Sequence, residues 1–125
     1  MVEELSLQGR HILVVEDEFM IALSIRKTLE AFGAVVLGPV ATVAKGLALV
    51  QDSPQVDAAV LDVNLGGNSV QPVAQALTER GVRYLLATGY GSGDLTAFFD
   101  DVPRCEKPFD DEQVVRTLVQ MMASP

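Results

Sequence analysis

At residues 58–67 the sequence reads Ala-Ala-Val-Leu-Asp-Val-Asn-Leu-Gly-Gly, an apolar run that ends in one carboxylate, Asp62, before a loop. Ile12-Leu13-Val14-Val15 ends in the same way, in Glu16-Asp17-Glu18, and two later segments end at Thr88 and at Lys107-Pro108. In an open parallel sheet the carboxyl ends of the strands share one edge, so residues distant in sequence meet in one crevice there. The sequence therefore predicts a functional site at that edge.

Short β-branched runs alternate with longer amphipathic runs along the chain. Strands are predicted at His11 to Val15, Val35 to Val40, Asp57 to Leu61, Arg83 to Ala87 and Arg104 to Glu106. Helices are predicted at Phe19 to Phe32, from the cap Thr42 to about Gln51, from Asn68 or Ser69 to Gly81, as a short helix within 89–102, and after the cap Asp110. Such alternation implies right-handed crossovers. We expect an α/β fold, a doubly wound five-stranded parallel sheet with helices on both faces.

The spacing of apolar residues predicts which face of each helix is buried. The expected inward residues are, helix by helix, Ile21, Ala22, Ile25, Leu29 and Phe32; Ala44, Leu47, Ala48 and Val50; Val70, Val73, Ala74 and Leu77; and Val114, Val115, Leu118, Val119 and Met122. Residues 1–10 and 123–125 are expected to be loose ends.

Composition limits the class of protein. With 125 residues and 49% apolar residues, the chain is expected to form one domain over 1–125, with a core at about 9–122 and no appended effector domain. The net charge of −8 disfavours nucleic acid and anionic membranes as partners, which leaves proteins and cations. Cys105 is the single cysteine, and neither a signal peptide nor an apolar stretch of about 18 residues occurs. We expect a cytoplasmic protein without disulfides.

The carboxylates at the predicted strand ends indicate a cation site. Glu16, Asp17 and Asp62 would repel one another, and an all-oxygen set suits Mg²⁺ or Mn²⁺ rather than zinc. Mg²⁺ also accepts phosphate oxygens, which points to phosphoryl chemistry. Lys107 can then neutralise one phosphoryl oxygen and Thr88 can hydrogen-bond another. Asp62 stands alone at its strand end and is the candidate nucleophile for an aspartyl phosphate.

At these residues the chain resembles the receiver domain of response regulators in two-component signalling. Four motifs occur in the family's order: Val14-Val15-Glu16-Asp17-Glu18, Val60-Leu61-Asp62-Val63-Asn64, Ala87-Thr88-Gly89 and Lys107-Pro108-Phe109. The resemblance extends over about residues 9–122 and implies a flavodoxin-like receiver fold.

The resemblance also implies a role for each site residue. Asp62 would be the phosphoacceptor, and Asp17, Asp62 and the backbone carbonyl of Asn64 would ligate Mg²⁺, with Glu16 holding a metal-bound water.

For the phosphoryl group itself, the resemblance implies contacts from Thr88 and Lys107, with a cis peptide between Lys107 and Pro108. The phosphodonor would be a histidine kinase or a histidine phosphotransfer protein. The protein would not be an enzyme in the usual sense, because it would catalyse only its own phosphorylation and dephosphorylation. Its output would pass through protein–protein interaction or phosphate shuttling.

Two departures from the common receiver pattern refine this hypothesis. Arg104 stands where most receivers have an aromatic switch residue. Leu86-Ala87-Thr88-Gly89-Tyr90-Gly91 resembles the receivers called FATGUY, with Leu86 in place of the Phe. In that group the phosphodonors are typically kinases of the HWE and HisKA2 types. We therefore expect the signal to be sensed through Thr88 and the 89–93 segment, which would order the residues that follow.

Other functions and roles are less consistent with the sequence. A small-molecule phosphatase or phosphotransferase of this chemistry usually needs an acid two residues beyond the nucleophile, and Asn64 cannot supply a proton. A degenerate receiver that serves only for binding is expected to have lost the acceptor, an acidic ligand or the lysine, and all are present. Glu18 is expected to be a solvated loop residue, and Cys105 a buried inert thiol.

Overall fold

The fold is described from a computed structural model, in which residues 5–89, 102–108 and 110–123 are described. Its elements in chain order are β1 (His11–Val15), α1 (Phe19–Ala31), β2 (Val35–Val40), α2 (Val43–Asp52), β3 (Ala58–Asp62), β4 (Asn64–Leu65), β5 (Asn68–Ser69), α3 (Gln71–Glu79), β6 (Arg83–Thr88), β7 (Arg104–Glu106) and α4 (Asp111–Ala123). The short helix expected within 89–102 falls almost wholly on residues outside the described part.

The main sheet has five strands in the order β2-β1-β3-β6-β7, and every pairing in it is parallel. The α/β doubly wound prediction is confirmed, and the fold is the flavodoxin-like receiver fold. All five strands end at the same edge, because parallel strands run in one direction. A separate antiparallel hairpin, β4-β5, follows β3 at that edge.

The core consists of two layers, one on each face of the sheet. Successive residues of β1 alternate between them: Leu13 and Val15 pack with α2 and α3, and Ile12 and Val14 pack with α1 and α4. Because β1 and β3 are covered on both faces, their sequences are continuous apolar runs rather than alternating ones. This confirms helices on both faces.

The amino-terminal segment departs from the prediction of a loose end. Leu7 is fully buried in the α1–α4 layer, and its N–H donates to the Phe32 carbonyl oxygen over 2.8 Å. The Gly9 N–H donates to the Gly33 carbonyl oxygen over 3.1 Å. A Cβ on Gly33 would lie 2.6 Å from Oε1 of Gln8, so the segment passes directly over the end of α1. A single apolar residue has no periodicity, and the pattern therefore did not reveal this contact.

The buried face of α2 also differs from the prediction. Ala44 and Ala48 are exposed, whereas Gly46 and Val50 are buried and Leu47 is partly buried. A Cβ at Gly46 would lie 3.0 Å from Cγ2 of Val73, so the helix packs through its glycine. Glycine does not count as an apolar residue in the periodicity, so the buried face predicted for α2 was rotated relative to the observed one. The predicted cap is confirmed, because Thr42 Oγ1 accepts a hydrogen bond from the Lys45 N–H.

The other helices largely match their predicted faces. The buried residues are Ala22, Ile25 and Leu29 in α1; Val73, Ala74 and Leu77 in α3, with Val70 before it; and Val114, Val115, Leu118 and Met121 in α4. Ile21, Phe32, Val119 and Met122 are only partly buried. The third helix begins at Gln71 rather than at Asn68 or Ser69, because those two residues form β5. In the part of the chain described here, no helix is both long enough and apolar enough to cross a membrane.

Candidate functional site

Three acidic residues meet at the carboxyl edge of the sheet, at the ends of β1 and β3. These strands are neighbours in the sheet, and Val15 lies opposite Leu61, so the residues that follow each of them are brought together. Carboxylate oxygens of Glu16, Asp17 and Asp62 all lie within 4.8 Å of one another. Glu16 and Asp62 are buried, and Asp17 is exposed.

Lys107 joins this cluster from the end of β7, across the intervening β6. Its Nζ lies 2.8 Å from Oε1 of Glu16 and 3.2 Å from Oδ2 of Asp62. The Lys107 N–H donates to the Thr88 carbonyl oxygen over 2.7 Å, which fixes the backbone from which the side chain extends. Gly89 lies beneath that side chain, since a Cβ there would be 3.4 Å from Cδ of Lys107. The peptide between Lys107 and Pro108 is cis, in agreement with the expectation.

Backbone amides hold the remaining oxygens of the two buried carboxylates. Asp62 Oδ1 accepts a hydrogen bond from the Asn64 N–H over 3.1 Å, and Glu16 Oε2 accepts one from the Glu18 N–H over 3.1 Å. Asp17 makes no hydrogen bond or ion pair with another described residue. The exposed carboxylate is therefore the one that is free to meet an incoming cation first.

The electrostatics of the cluster follow from this packing. Burial raises the pKa of Asp62 to about 7, with help from the hydrogen bond and the charge of Glu16, although the Asn64 amide and the Lys107 ammonium act against the shift. Burial lowers the pKa of Lys107, but its contacts with Glu16 and Asp62 outweigh burial and raise it. One ammonium is thus shared by a group of carboxylates that carries excess negative charge.

The donor set fits a hard divalent cation. All three side chains offer oxygen, and their mutual repulsion is the unfavourable term that a divalent ion would relieve. An open cleft of about 680 Å³ gives access to the cluster. Its lining residues are Asp17, Glu18, Met20, Ile21, Ser24, Asp62, Asn64, Gly66, Gly89, Lys107 and Pro108.

Two predicted residues have side chains directed elsewhere. Thr88 is not part of the cleft lining, and its Oγ1 donates to the Cys105 carbonyl oxygen over a long 3.5 Å. Asn64 Oδ1 accepts from the Gly67 N–H over 2.7 Å and so closes the β4-β5 turn, which leaves the Asn64 backbone rather than its amide for a ligand role. Cys105 is buried, and burial raises the pKa of its thiol despite a hydrogen bond with Thr117, as expected of an inert cysteine.

The α1 side of the cleft was not predicted from the sequence. Met20, Ile21 and Ser24 line it, and Met20 is 72% exposed, which is unusual for a large apolar residue. Met20 and Ser24 are four residues apart and share one helix face. The spacing of Met20 and Ser24, shortly after Glu16-Asp17-Glu18, could have predicted that α1 lines this side of the cleft.

No protein-family model matches the chain, and no curated protein matches it. Solved structures do match. SdrG from Sphingomonas melonis Fr1, in solution, is 39% identical with a TM-score of 0.81, over 94% of this chain and 99% of that one. The BeF3-activated conformation of SdrG from Pseudomonas melonis Fr1 is 39% identical with a TM-score of 0.74, over 90% of this chain and 96% of that one. A response regulator receiver protein from Sinorhizobium medicae WSM419 is 23% identical with a TM-score of 0.83, over 95% of this chain and 98% of that one.

The similarity to SdrG covers nearly the whole of both chains at an identity well above the level that shows only a shared fold. The receiver protein from Sinorhizobium medicae has the same architecture over the same extent. The four strand-end motifs lie at one edge of that architecture. From these findings together, the chain belongs to the response regulator receiver domain family.

Proposed function

We propose that this receiver domain, over residues 1–125, accepts a phosphoryl group on Asp62 from a histidine kinase or a histidine phosphotransfer protein. The observation that carries the proposal is the surroundings of Asp62, a buried carboxylate that faces an open cleft with Lys107 Nζ 3.2 Å away. A relative that adopts a BeF3-activated conformation adds support, because this chain is 39% identical to it.

In the transfer step a carboxylate oxygen of Asp62 attacks the phosphorus of the donor phosphohistidine. The new O–P bond forms as the P–N bond breaks, and the electron pair of that bond stays on the imidazole nitrogen that leaves. The Lys107 ammonium stabilises charge on a phosphoryl oxygen. The Thr88 hydroxyl supplies a second contact when it donates to a phosphoryl oxygen instead of to the Cys105 carbonyl oxygen. Little free energy is lost when that hydrogen bond breaks, because its 3.5 Å length makes it weak.

We propose Asp17, Asp62 and the Asn64 carbonyl as the ligands of Mg²⁺, or of Mn²⁺, with Glu16 holding a metal-bound water. When bound, the cation supplies positive charge that offsets the charge of the phosphoryl oxygens. The protein contributes the fixed carboxylates and the open cleft, which admits both the cation and the donor.

We propose further that the domain belongs to the FATGUY group and that its donor is a kinase of the HWE or HisKA2 type. Leu86, Thr88 and Gly89 of that motif lie at the end of β6, whereas Tyr90 and Gly91 fall outside the described residues. Arg104 begins β7 and is exposed. Without an aromatic there, Thr88 and the segment after it would sense the phosphoryl group, and output would pass to a protein target or along a phosphate shuttle.

The proposal is tested by incubation with acetyl phosphate and Mg²⁺ followed by intact-mass measurement. We expect one phosphoryl adduct on the wild-type protein and none on Asp62→Asn or in the presence of a chelator. Asp57→Asn is the matched control, because Asp57 lies just before the other end of β3, and it should label like the wild type. An undiminished adduct on Asp62→Asn would show that Asp62 is not the acceptor.

A further inference from the structure

The loop after β3 is closed by one of its own side chains. β4 and β5 pair as an antiparallel hairpin, and the turn between them consists of two glycines. Gly66 and Gly67 have positive φ angles of 60° and 92°, as a type I′ hairpin turn requires. Asn64 Oδ1 accepts the Gly67 N–H over 2.7 Å and so spans this turn from its first strand.

The turn has few other means of keeping its shape. Leu65 is buried and anchors β4, whereas both glycines are exposed. The hairpin contains only two residue pairs, and a two-stranded hairpin is marginally stable by itself in water. Adjacent glycines permit the turn, but they also lose the most backbone freedom when it forms. The hydrogen bond from Gly67 to Asn64 therefore selects one conformation among many that this segment could adopt.

The hairpin forms part of the wall of the proposed cation site. The Asn64 N–H donates to Oδ1 of Asp62 over 3.1 Å, which ties β4 to the proposed phosphoacceptor. Gly66 lines the same cleft as Asp17 and Asp62, and a Cβ on Gly66 would lie 3.9 Å from Oδ2 of Asp17. The conformation of the turn thus sets the distance from the hairpin to both carboxylates.

The register of the hairpin indicates where the backbone of Asn64 points. In an antiparallel pair of strands, hydrogen-bonded and non-hydrogen-bonded residue pairs alternate. The pair that flanks the two-residue turn, Leu65 and Asn68, is of the hydrogen-bonded kind, so Asn64 and Ser69 form the other kind. The N–H and the carbonyl of Asn64 therefore face away from β5, and the hydrogen bond from this N–H to Asp62 agrees with that direction.

We propose that the Asn64 side chain is a positioning group for the cation: by accepting the Gly67 N–H it holds the β4–β5 hairpin in one conformation, and the Asn64 carbonyl is thereby in place before a cation arrives. The effect on the cation rests on the ligand set in the proposed function, whereas the closure of the turn does not. The Asn64 side chain thus has a task although only the backbone of Asn64 belongs to the proposed ligands.

The closure of the turn is tested in metal-free protein, in chelator, by NMR measurement of amide hydrogen exchange at Gly67. Asn64→Ala removes the acceptor, and we expect it to accelerate this exchange about fivefold, the factor that corresponds to a net hydrogen bond of about 1 kcal/mol. Position 64 is not adjacent to Gly67 in the chain, so the intrinsic exchange rate of this amide stays the same. Equal exchange in wild type and Asn64→Ala would overturn the proposal.

Asn68→Ala is the matched control. Asn68 flanks the same turn on the opposite strand, and its side chain makes no hydrogen bond with another described residue. We therefore expect wild-type exchange at Gly67 in this variant.

Asn64→Asp guards against a variant that loses the hairpin for another reason. It keeps an oxygen acceptor at the same reach, so Gly67 should exchange at about the wild-type rate. Fast exchange in Asn64→Asp as well as in Asn64→Ala would show that the hydrogen bond is not what protects Gly67, and would overturn the proposal.

The link to the cation is tested by titrating the unphosphorylated protein with Mg²⁺ and following amide chemical shifts. We expect Asn64→Ala to raise the dissociation constant about fivefold, because the turn must then be ordered when the cation binds. Asn68→Ala should bind Mg²⁺ as the wild type does. An unchanged dissociation constant in Asn64→Ala, together with fast exchange at Gly67, would overturn the positioning role.

Failure of the proposed function gives a different result. If the wild type does not bind Mg²⁺, the proposed ligand set is wrong and the positioning role falls with it. If Mg²⁺ binds with the expected dependence on Asn64 but acetyl phosphate does not label Asp62, the phosphoacceptor assignment fails and the positioning role stands.

Discussion

At the scale of single residues, two aspartates near the ends of β3 show that surroundings decide what a carboxylate does. Burial raises the pKa of Asp62 to about 7, because Glu16 adds to the effect of lost solvation. Burial acts on Asp57 in the same direction, but the His11 N–H, the Gln55 amide and the nearby charges of Arg10 and His11 outweigh it and hold the pKa of Asp57 below its usual value. Asp62 therefore has the surroundings of a reactive carboxylate, whereas Asp57 has those of a structural one.

Asp57 yields a prediction on the pH dependence of stability. Its Oδ2 accepts the His11 N–H over 2.7 Å and the Gln55 amide over 2.9 Å. Since the native pKa of Asp57 is lowered, the unfolded state binds more protons near and below the ordinary aspartate pKa of 3.8. The stability that the Asp57 carboxylate contributes is therefore lost as pH falls through its native pKa. We expect Asp57→Asn to lower the free energy of unfolding by about 1 kcal/mol at pH 7. On acidification the variant should lose less of its free energy of unfolding than the wild type does.

Urea unfolding from pH 7 to pH 3 measures this effect. Asp52→Asn, an exposed aspartate at the end of α2, is the control and should follow the wild-type curve. A wild type and an Asp57→Asn variant that lose the same free energy between those pH values would contradict the prediction.

Leu7 yields a prediction on packing. It is fully buried against α1 and α4 although it precedes the first strand. Leu7→Ala should lower the free energy of unfolding by about 2–5 kcal/mol, through lost burial and the cavity left behind. Leu5→Ala, at a partly buried position of the same segment, should have a smaller effect. Denaturant unfolding measures both, and equal small effects would show that the segment adds no stability.

At the scale of elements, α2 is held by contacts that are distant in sequence. Gly46 lets it approach Val73 of α3 and Val15 of β1. Arg80, at the end of α3, donates from its guanidinium to the carbonyl oxygens of Val50, Ser53 and Pro54, the last through Nη2 over 3.4 Å. Carbonyls at a helix end lack partners within the helix, so this arginine caps α2 from a neighbouring helix.

Gly46→Ala is the prediction at this scale. Alanine is favoured over glycine within a helix by about 1 kcal/mol, but the new Cβ would lie 3.0 Å from Val73 Cγ2 and 3.3 Å from Val15 Cγ2, and overpacking costs about 1–3 kcal/mol. Because both contacts are with buried β-branched side chains, we expect net destabilisation. Denaturant unfolding measures it. In a Val73→Ala background the same substitution should be neutral or stabilising, and a persistent loss there would show that the clash is not with Val73.

At the scale of the whole molecule, strand order creates the site. β1 and β3 are adjacent and bring Glu16, Asp17 and Asp62 together, and β7 delivers Lys107 from two strands away. Like charges placed together in this way lower the stability of the native state, which a bound cation would restore.

We therefore expect Mg²⁺ to stabilise the native fold. At about 100 times its dissociation constant, a ligand that binds only the native state adds about 2.7 kcal/mol. Thermal melts with and without Mg²⁺ measure the shift, and Asp17→Asn should reduce it strongly. Glu79→Gln, an exposed acidic position at the end of α3, is the control for net charge. A shift that survives Asp17→Asn would place the cation elsewhere.

The sequence alone determined the fold class, the strand positions and the edge at which Glu16, Asp17, Asp62 and Lys107 meet. These features follow from local periodicity and from the geometric fact that parallel strands end together, so they can be deduced without coordinates. Most buried helix positions were predictable for the same reason, since an amphipathic helix repeats its apolar face.

Only the tertiary structure decided the burial of Leu7, the packing of α2 through Gly46 and the cap from Arg80. It also decided that Lys107 lies closer to Glu16 than to Asp62. None of these contacts leaves a periodic trace in the chain. Each depends on distances between segments far apart in sequence, and such distances are set by how two packed layers fit against a sheet rather than by any local preference.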